Sequence, residues 1–254
     1  MSPRRPVRAW VGTPHLDPAE LAGPSGLTED VLRGEDDPAA PEPEGDEAFW
    51  ESLLTPQRLA RIDAVISARL RSVTVVLDRL VDAHNVAAVL RTAEGLGLAR
   101  VHVVPHEASD AGAHRRVTQD ADKWLDVQAH SSGAQAARDL AGKGFTVHAG
   151  HLDAQAQPYT GIAADGPVAL LFGNEHEGPS AETLAACAAT FRIPMAGFTQ
   201  SFNVSVAAGI ALAQICAARR AFLKVPGDLP ADERRALRSR FLRLAAKLAR
   251  RVKR

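Results

Sequence analysis

Cysteine is nearly missing. Cys187 and Cys216 are the only two in 254 residues, which excludes a disulfide framework and a four-cysteine zinc site. Aromatic residues make up 5%, with a single tyrosine. No run of eighteen apolar residues occurs, so no spanning helix is expected. The basic start, Met1 to Arg8, lacks the apolar stretch of a secretory signal. Nucleotide signatures are also missing. There is no G-x-x-x-x-G-K-[ST], and Gly95-Leu96-Gly97 precedes a strand pattern and has no third glycine. The histidines show no metal-ligand spacing, and no G-x-S-x-G elbow is present. These absences lead us to expect a soluble, cytoplasmic chain with no membrane and no metal as partners.

Charge of either sign is not scarce, but it is segregated. Lys+Arg and Asp+Glu number 30 each. Residues 1–47 hold eleven acids against four arginines, whereas residues 219–254 hold thirteen basic residues against three acids. Such asymmetry fits a polyanion-binding end with an acidic tail, or equally a solvated helix face. Residues 1–47 are interrupted by Pro24, Pro38, Pro41 and Pro43 and have no apolar period, the composition of a poorly ordered segment. Order is expected from about Ala48.

Thr55-Pro56 offers an N-cap and a first-position proline. Leu59, Ile62, Ile66 and Leu70 then recur at helical spacing. Five apolar runs read as buried strands: Val73–Leu77, Val101–Val104, Phe145–Ala149, Val168–Phe172 and Phe191–Ile193. Helical patterns separate them over 85–95 (capped by Asn85), 133–140 and 180–189. The alternation predicts an α/β domain with a mostly parallel sheet and helices on both faces. A long helix from Asn203 to about Leu223 is apolar all round in its first half, which predicts burial on several sides. A basic amphipathic helix follows, with Leu237, Phe241, Leu244, Leu248 and Val252 on its apolar face. The domain reading is therefore 1–47, 48–224 and 225–254.

Three polar loops lie at predicted strand ends, where open α/β sheets bind ligands. Asp82-Ala83-His84-Asn85 leads into a helix containing Arg91; a cation among apolar residues needs a ligand or a partner such as Asp82 or Glu94. Gly173-Asn174-Glu175-His176-Glu177-Gly178 joins a strand to a helix, either as a ligand-approaching turn or as a solvated one. Pro194 to Asn203 precedes the long helix, with Ser201, Asn203 and Ser205 available as caps or as site residues.

The stretches His84-Asn85-Val86-Ala87-Ala88-Val89-Leu90-Arg91-Thr92, Phe172-Gly173-Asn174-Glu175, and Ile193-Pro194-Met195 with Gln200-Ser201-Phe202-Asn203-Val204-Ser205-Val206-Ala207 resemble the three signature motifs of the SPOUT-class RNA ribose 2′-O-methyltransferases. Order and spacing match, and the likeness is closest to the tRNA (guanosine-2′-O)-methyltransferase subfamily. The resemblance implies a C-terminal trefoil knot, bound S-adenosyl-L-methionine and a homodimer acting on tRNA, at guanosine 18 of the D-loop. Ribosomal RNA is the alternative substrate, and a non-catalytic RNA-binding protein of the same fold is a third reading. It further implies cofactor contacts at Gly150, Gly173, Ile193, Met195 and Phe202. Arg91 takes the place of the catalytic arginine, with Asn85, Glu175, Ser201 and Asn203 as polar site residues. Departures from the family pattern fall at Ala87, His176, Phe198-Thr199 and Phe202. The RNA-binding candidates are Arg58, Arg61, Arg69, Arg234, Arg238 and Arg250, with His84 of the first motif.

Overall fold

The computed structural model describes residues 46–106 and 123–252. Of the segment 1–47 expected to be poorly ordered, residues 1–45 fall outside the described residues, while Asp46 and Glu47 already belong to the first described helix and its cap.

Two helices come first among the described residues. Helix α1, Glu47–Ser52, is capped by Asp46, and α2, Pro56–Ser67, is capped by Thr55 with proline in its first turn. Among the described residues seven strands follow: β1 Val73–Asp78, β2 Arg100–Val104, β3 Asp126–Ala129, β4 Thr146–Gly150, β5 Gln157–Pro158, β6 Val168–Phe172 and β7 Ala189–Arg192. Between them lie α3 Ala83–Gly95, α4 Gly133–Gly142 and α5 Ala181–Ala186. Helices α6, Val204–Leu223, and α7, Ala231–Val252, complete the chain.

All strand pairs are parallel, in the order β3-β2-β1-β6-β4-β7-β5. Residues of β1 and β6 are buried throughout, as strands covered on both faces must be. On one face Val73, Val75, Leu77, Leu170 and Phe172 pack against α3 and α6. On the other Val76, Val147, Ala149 and Leu171 meet Ala136, Ala137 and Leu140 of α4. Two late strands are each inserted between earlier ones: β6 between β1 and β4, and β7 between β4 and β5. This brings the C-terminal ends of β4, β6 and β7 side by side.

Several expectations are corrected. Asp82, not Asn85, caps α3, its carboxylate accepting from the His84 N–H at 2.8 Å. The segment expected as one helix over 180–189 ends at Ala186, and Ala189 already belongs to β7. Strand β3 was not expected because it is short, polar and at the sheet edge. Helix α6 is long and apolar enough to cross a membrane, with a mean hydropathy of 1.4. Its Ala208, Ala211, Leu212 and Ile215 are instead buried against the sheet.

The two ends of the described chain form one cluster: Trp50, Ile62 and Ile66 pack against Phe241, Leu242, Ala245 and Ala246 of α7. Two arginines expected to meet RNA hold this region together. The Arg69 side chain is 1% exposed; it pairs with Glu94 at 2.9 Å and donates to the carbonyls of Leu98 and Trp124. Arg238 is ion-paired with Glu47, Glu51 and Asp63, joining α1, α2 and α7. The Arg69 guanidinium is buried and is removed from the RNA-binding set, whereas Arg238 is committed through Nε and Nη1 to three carboxylates that offset its charge toward a phosphate. Arg58, Arg61 and Arg234 are exposed. The Arg250 side chain lies outside the described residues.

Removing Arg69 takes a donor from the Leu98 and Trp124 carbonyls, while Glu94 stays partly in water. Arg69→Ala should lower unfolding free energy by about 2 kcal/mol in denaturant titration, and Arg58→Ala by less than about 0.5 kcal/mol.

Candidate active site

A cleft of about 800 Å³ opens where β4, β6 and β7 end. Its walls come from Gly150–Leu152, Phe172–Pro179, Phe191–Met195 and Gln200–Val204. All five residues expected to touch cofactor, Gly150, Gly173, Ile193, Met195 and Phe202, line it, as do Glu175, Ser201 and Asn203. Volume and mixed lining suit a small-molecule site.

The β6–α5 loop is shaped by its own contacts. Asn174 Oδ1 accepts from the N–H groups of His176 and Glu177 at 2.9 and 3.1 Å, and its Nδ2 donates to the Arg79 carbonyl at 3.1 Å. The Gly178 N–H closes the loop on the Asn174 carbonyl at 2.8 Å, with Gly178 at φ 69°. A Cβ on Gly173 would lie 2.3 Å from the Pro179 nitrogen. Glycine is therefore demanded here by the loop's contact with itself, whatever the cleft holds.

Glu175 ties this loop to the first motif. Its carboxylate accepts from the Val81 N–H at 2.9 Å, the Asp82 N–H at 3.4 Å and Asn85 Nδ2 at 2.9 Å. Partial burial alone would raise its pKa. The donations from Val81, Asn85 and Asp82 outweigh that and hold it below the ordinary 4.5. Asn85 Oδ1 in turn accepts from Asn203 Nδ2 at 3.0 Å. Asn203 Oδ1 accepts from the Ser205 N–H at 2.8 Å, capping α6. Asn203 is thus both a cap and a member of the site.

Arg91 does not join them. It is exposed, and it has no hydrogen bond or ion pair among the described residues. Neither expected partner is used, since Glu94 pairs with Arg69 and Asp82 caps its own helix. Arg91 is not among the lining residues; it sits six residues, about 9 Å of rise, beyond Asn85. His84 is exposed at the start of the same helix. Sequence reasoning missed His151, Leu152, Phe191 and Arg192 of the lining. All four follow or end a strand, and extending the strand-end argument to β4 and β7 would have found them.

Comparison with known proteins gives the following. The SpoU rRNA Methylase family pattern matches residues 72–213. A tRNA (guanosine(18)-2'-O)-methyltransferase of Thermus thermophilus is 35% identical over 158 residues, covering 62% of this chain and 81% of that protein. The Escherichia coli K12 protein of the same description is 31% identical over 202 residues, covering 78% and 88%. A 23S rRNA (guanosine-2'-O-)-methyltransferase of Acinetobacter baylyi is 33% identical over 161 residues, covering 62% and 64%. Among solved structures, the A. aeolicus TrmH/SpoU tRNA modifying enzyme superposes with a TM-score of 0.66 at 26% identity, covering 76% of this chain and 96% of that one. An AdoMet-bound rRNA methyltransferase from Sinorhizobium meliloti gives 0.51 at 31% identity, covering 59% and 56%.

A carboxylate whose folded pKa is depressed contributes stability above its unfolded value and loses it as pH falls through the folded value. Stability of the wild-type cleft should therefore decline as pH falls below about 4.5. Glu175→Gln, which sets an amide against backbone donors, should lower the melting temperature at pH 7 and flatten that acid-side decline in calorimetry.

Proposed function

Because the chain belongs to the SpoU rRNA methylase family, we propose that it is a cytoplasmic, homodimeric 2′-O-methyltransferase acting on guanosine 18 of the tRNA D-loop. The single observation that carries this reading is the polar chain Glu175–Asn85–Asn203, which joins all three motifs at one cleft. Relatives that act on tRNA favour tRNA over ribosomal RNA, and they match this chain over most of their own length.

The cleft fits S-adenosyl-L-methionine. From Met195 to Phe202 the main chain makes no hydrogen bond among the described residues, so its groups are open to a ligand. Phe172, Phe191, Ile193 and Phe202 supply apolar walls beside them. The cofactor, when bound, supplies a methyl group activated on a sulfonium. Gly150, Gly173, Ile193, Met195 and Phe202 would hold it. The two inserted strands, β6 and β7, support a chain threaded as a trefoil knot around these loops.

Arg91 supplies charge. A guanidinium stays protonated and is poorly suited to remove a proton. Its role in this reading is to stabilise the alkoxide developing at the ribose 2′-oxygen and to clamp the neighbouring phosphate. The hydroxyl proton then passes to a phosphate oxygen or to water. Since Arg91 is outside its own chain's cleft, a second copy brings it to the reacting oxygen. Helix α3 packs on α6, whose Val206 and Phe222 are exposed apolar residues suited to a subunit contact. RNA affinity comes from the exposed Arg58, Arg61 and Arg234, with His84 nearer the cleft.

Labelled methyl transfer to unmodified tRNA is the first test, with ribosomal RNA and a tRNA carrying adenosine at the target as controls. Label on tRNA alone, lost with the guanosine, is expected. Label on ribosomal RNA alone would overturn the substrate. Arg91→Ala should lower kcat about 10²- to 10³-fold and leave cofactor affinity within about threefold. Mixing inactive Arg91→Ala and Glu175→Gln chains should restore activity, because a mixed dimer rebuilds one intact site. No restoration would place Arg91 and the cleft in one chain.

Each exposed arginine that neutralises a phosphate should lower the slope of log affinity against log salt by about one on substitution. Arg58→Ala, Arg61→Ala and Arg234→Ala should each do so in filter binding, and Arg238→Ala should lower stability instead. Deleting 231–254 is not a clean test, because α7 covers Trp50, Ile62 and Ile66.

A further inference from the structure

Beyond the cleft floor, the β7–α6 loop carries an aromatic ring with no protein to lie on. Phe198 is fully exposed, and the adjacent Gly197, Thr199, Gln200 and Ser201 are exposed too. The same loop lines the cleft through Met195, Gln200, Ser201 and Phe202. The ring therefore stands at the rim of the site, two residues from a lining side chain on one side and three on the other.

The surroundings discriminate between occupants. A subunit contact would continue the apolar surface, as Val206 does on α6. Phe198 is flanked instead by a hydroxyl and a carboxamide, which can bond the edge of a planar heterocycle while the ring covers its face. No acidic residue occurs between Glu182 and Asp228, so this loop and α6 carry no carboxylate of their own, and the carboxylates in the cleft lining, Glu175 and Glu177, belong to the β6–α5 loop. Arg192, exposed and also in the lining, adds a cation at the loop's base. Nucleobases are recognised in this way outside duplexes, by stacking on an aromatic face.

We infer that Phe198 is a substrate-positioning residue that stacks on an unpaired nucleobase of the RNA, either the target base or its neighbour, with Gln200 or Thr199 bonding that base's edge. This rests on the RNA-methylation reading of the cleft. It assigns to this loop a task separate from holding cofactor: seating one nucleotide so that its ribose faces the methyl donor.

The test uses the full chain and an unmodified tRNA transcript. Phe198→Ala should raise KM for RNA about tenfold, with cofactor affinity, oligomeric state and melting temperature unchanged. Phe198→Tyr or Phe198→Trp should recover most of the loss, since either ring stacks. In Phe198→Trp the added indole fluorescence should be quenched by RNA, and less so by RNA made abasic at either the target position or its neighbour. An alanine variant with wild-type KM, or an unquenched tryptophan, overturns the inference. An alanine variant that dissociates the dimer or weakens cofactor binding also overturns it and assigns the ring to the interface or the pocket. If the wild-type chain transfers no methyl to any RNA, the functional reading fails, while the tryptophan quench still decides whether the ring stacks.

Discussion

The carboxylate of Glu175 is the constraint on which the site depends. It takes three donors from the β1–α3 turn, and through Asn85 it reaches the cap of α6. These partners are some 90 and 118 residues apart in sequence. The last of the three loops has little else to hold it, as its main chain is largely unbonded. Asn85 is 8% exposed, and a buried carboxamide left without partners costs more than the bond it forfeits. Loss of one member therefore leaves the others unsatisfied, and the cleft's shape goes with them.

A second economy governs the cations. Arginine offers five donors in a rigid fork, and this chain uses that fork on carbonyls at helix ends and in loops. Arg220 donates to the carbonyls of Ala68 and Leu96, the residues that cap α2 and α3, and to Pro226. Arg219 joins Ser72 to the carbonyls of Ala164 and Asp165, and Arg240 holds those of Lys123 and Leu125. The last carbonyls of a helix have no partner within it, so Arg220 closes what α2 and α3 leave open, while Arg219 and Arg240 do the same for loop carbonyls. A basic C-terminal third is for this reason only partly a polyanion surface. Charge counted along the sequence overstates what RNA can meet.

What could be read from sequence follows the same division. The central strands were legible because burial on both faces makes them continuous apolar runs, as in Val168–Phe172. The edge strands β3 and β5 were not, one polar and one only two residues long. The cleft was legible because glycine and polar residues at strand ends mark it; of the ten cofactor and polar site residues expected, eight line it, and Asn85 and Arg91 do not. The partners of Arg69 and Arg238 were not legible. They come from segments far apart in sequence, and nothing in local spacing separates a cation bound to carbonyls from one facing water.

Arg91 shows how the periodicity itself should have been used. The apolar stripe of α3 is Val86, Val89, Leu90 and Ala93. At about 100° per residue, Arg91 falls roughly 140° from Val86, away from that stripe. The helix therefore turns Asn85 toward the polar chain and Arg91 toward solvent, although both belong to one continuous motif. The motif is contiguous in sequence but divided between two faces of a helix, and Arg91 is not among the residues lining its own chain's cleft. The cation must act on something that reaches it from outside. In the proposed reading that is RNA seated in the cleft of a second copy, and the proposed dimer would then serve the chemistry and not only cover apolar surface.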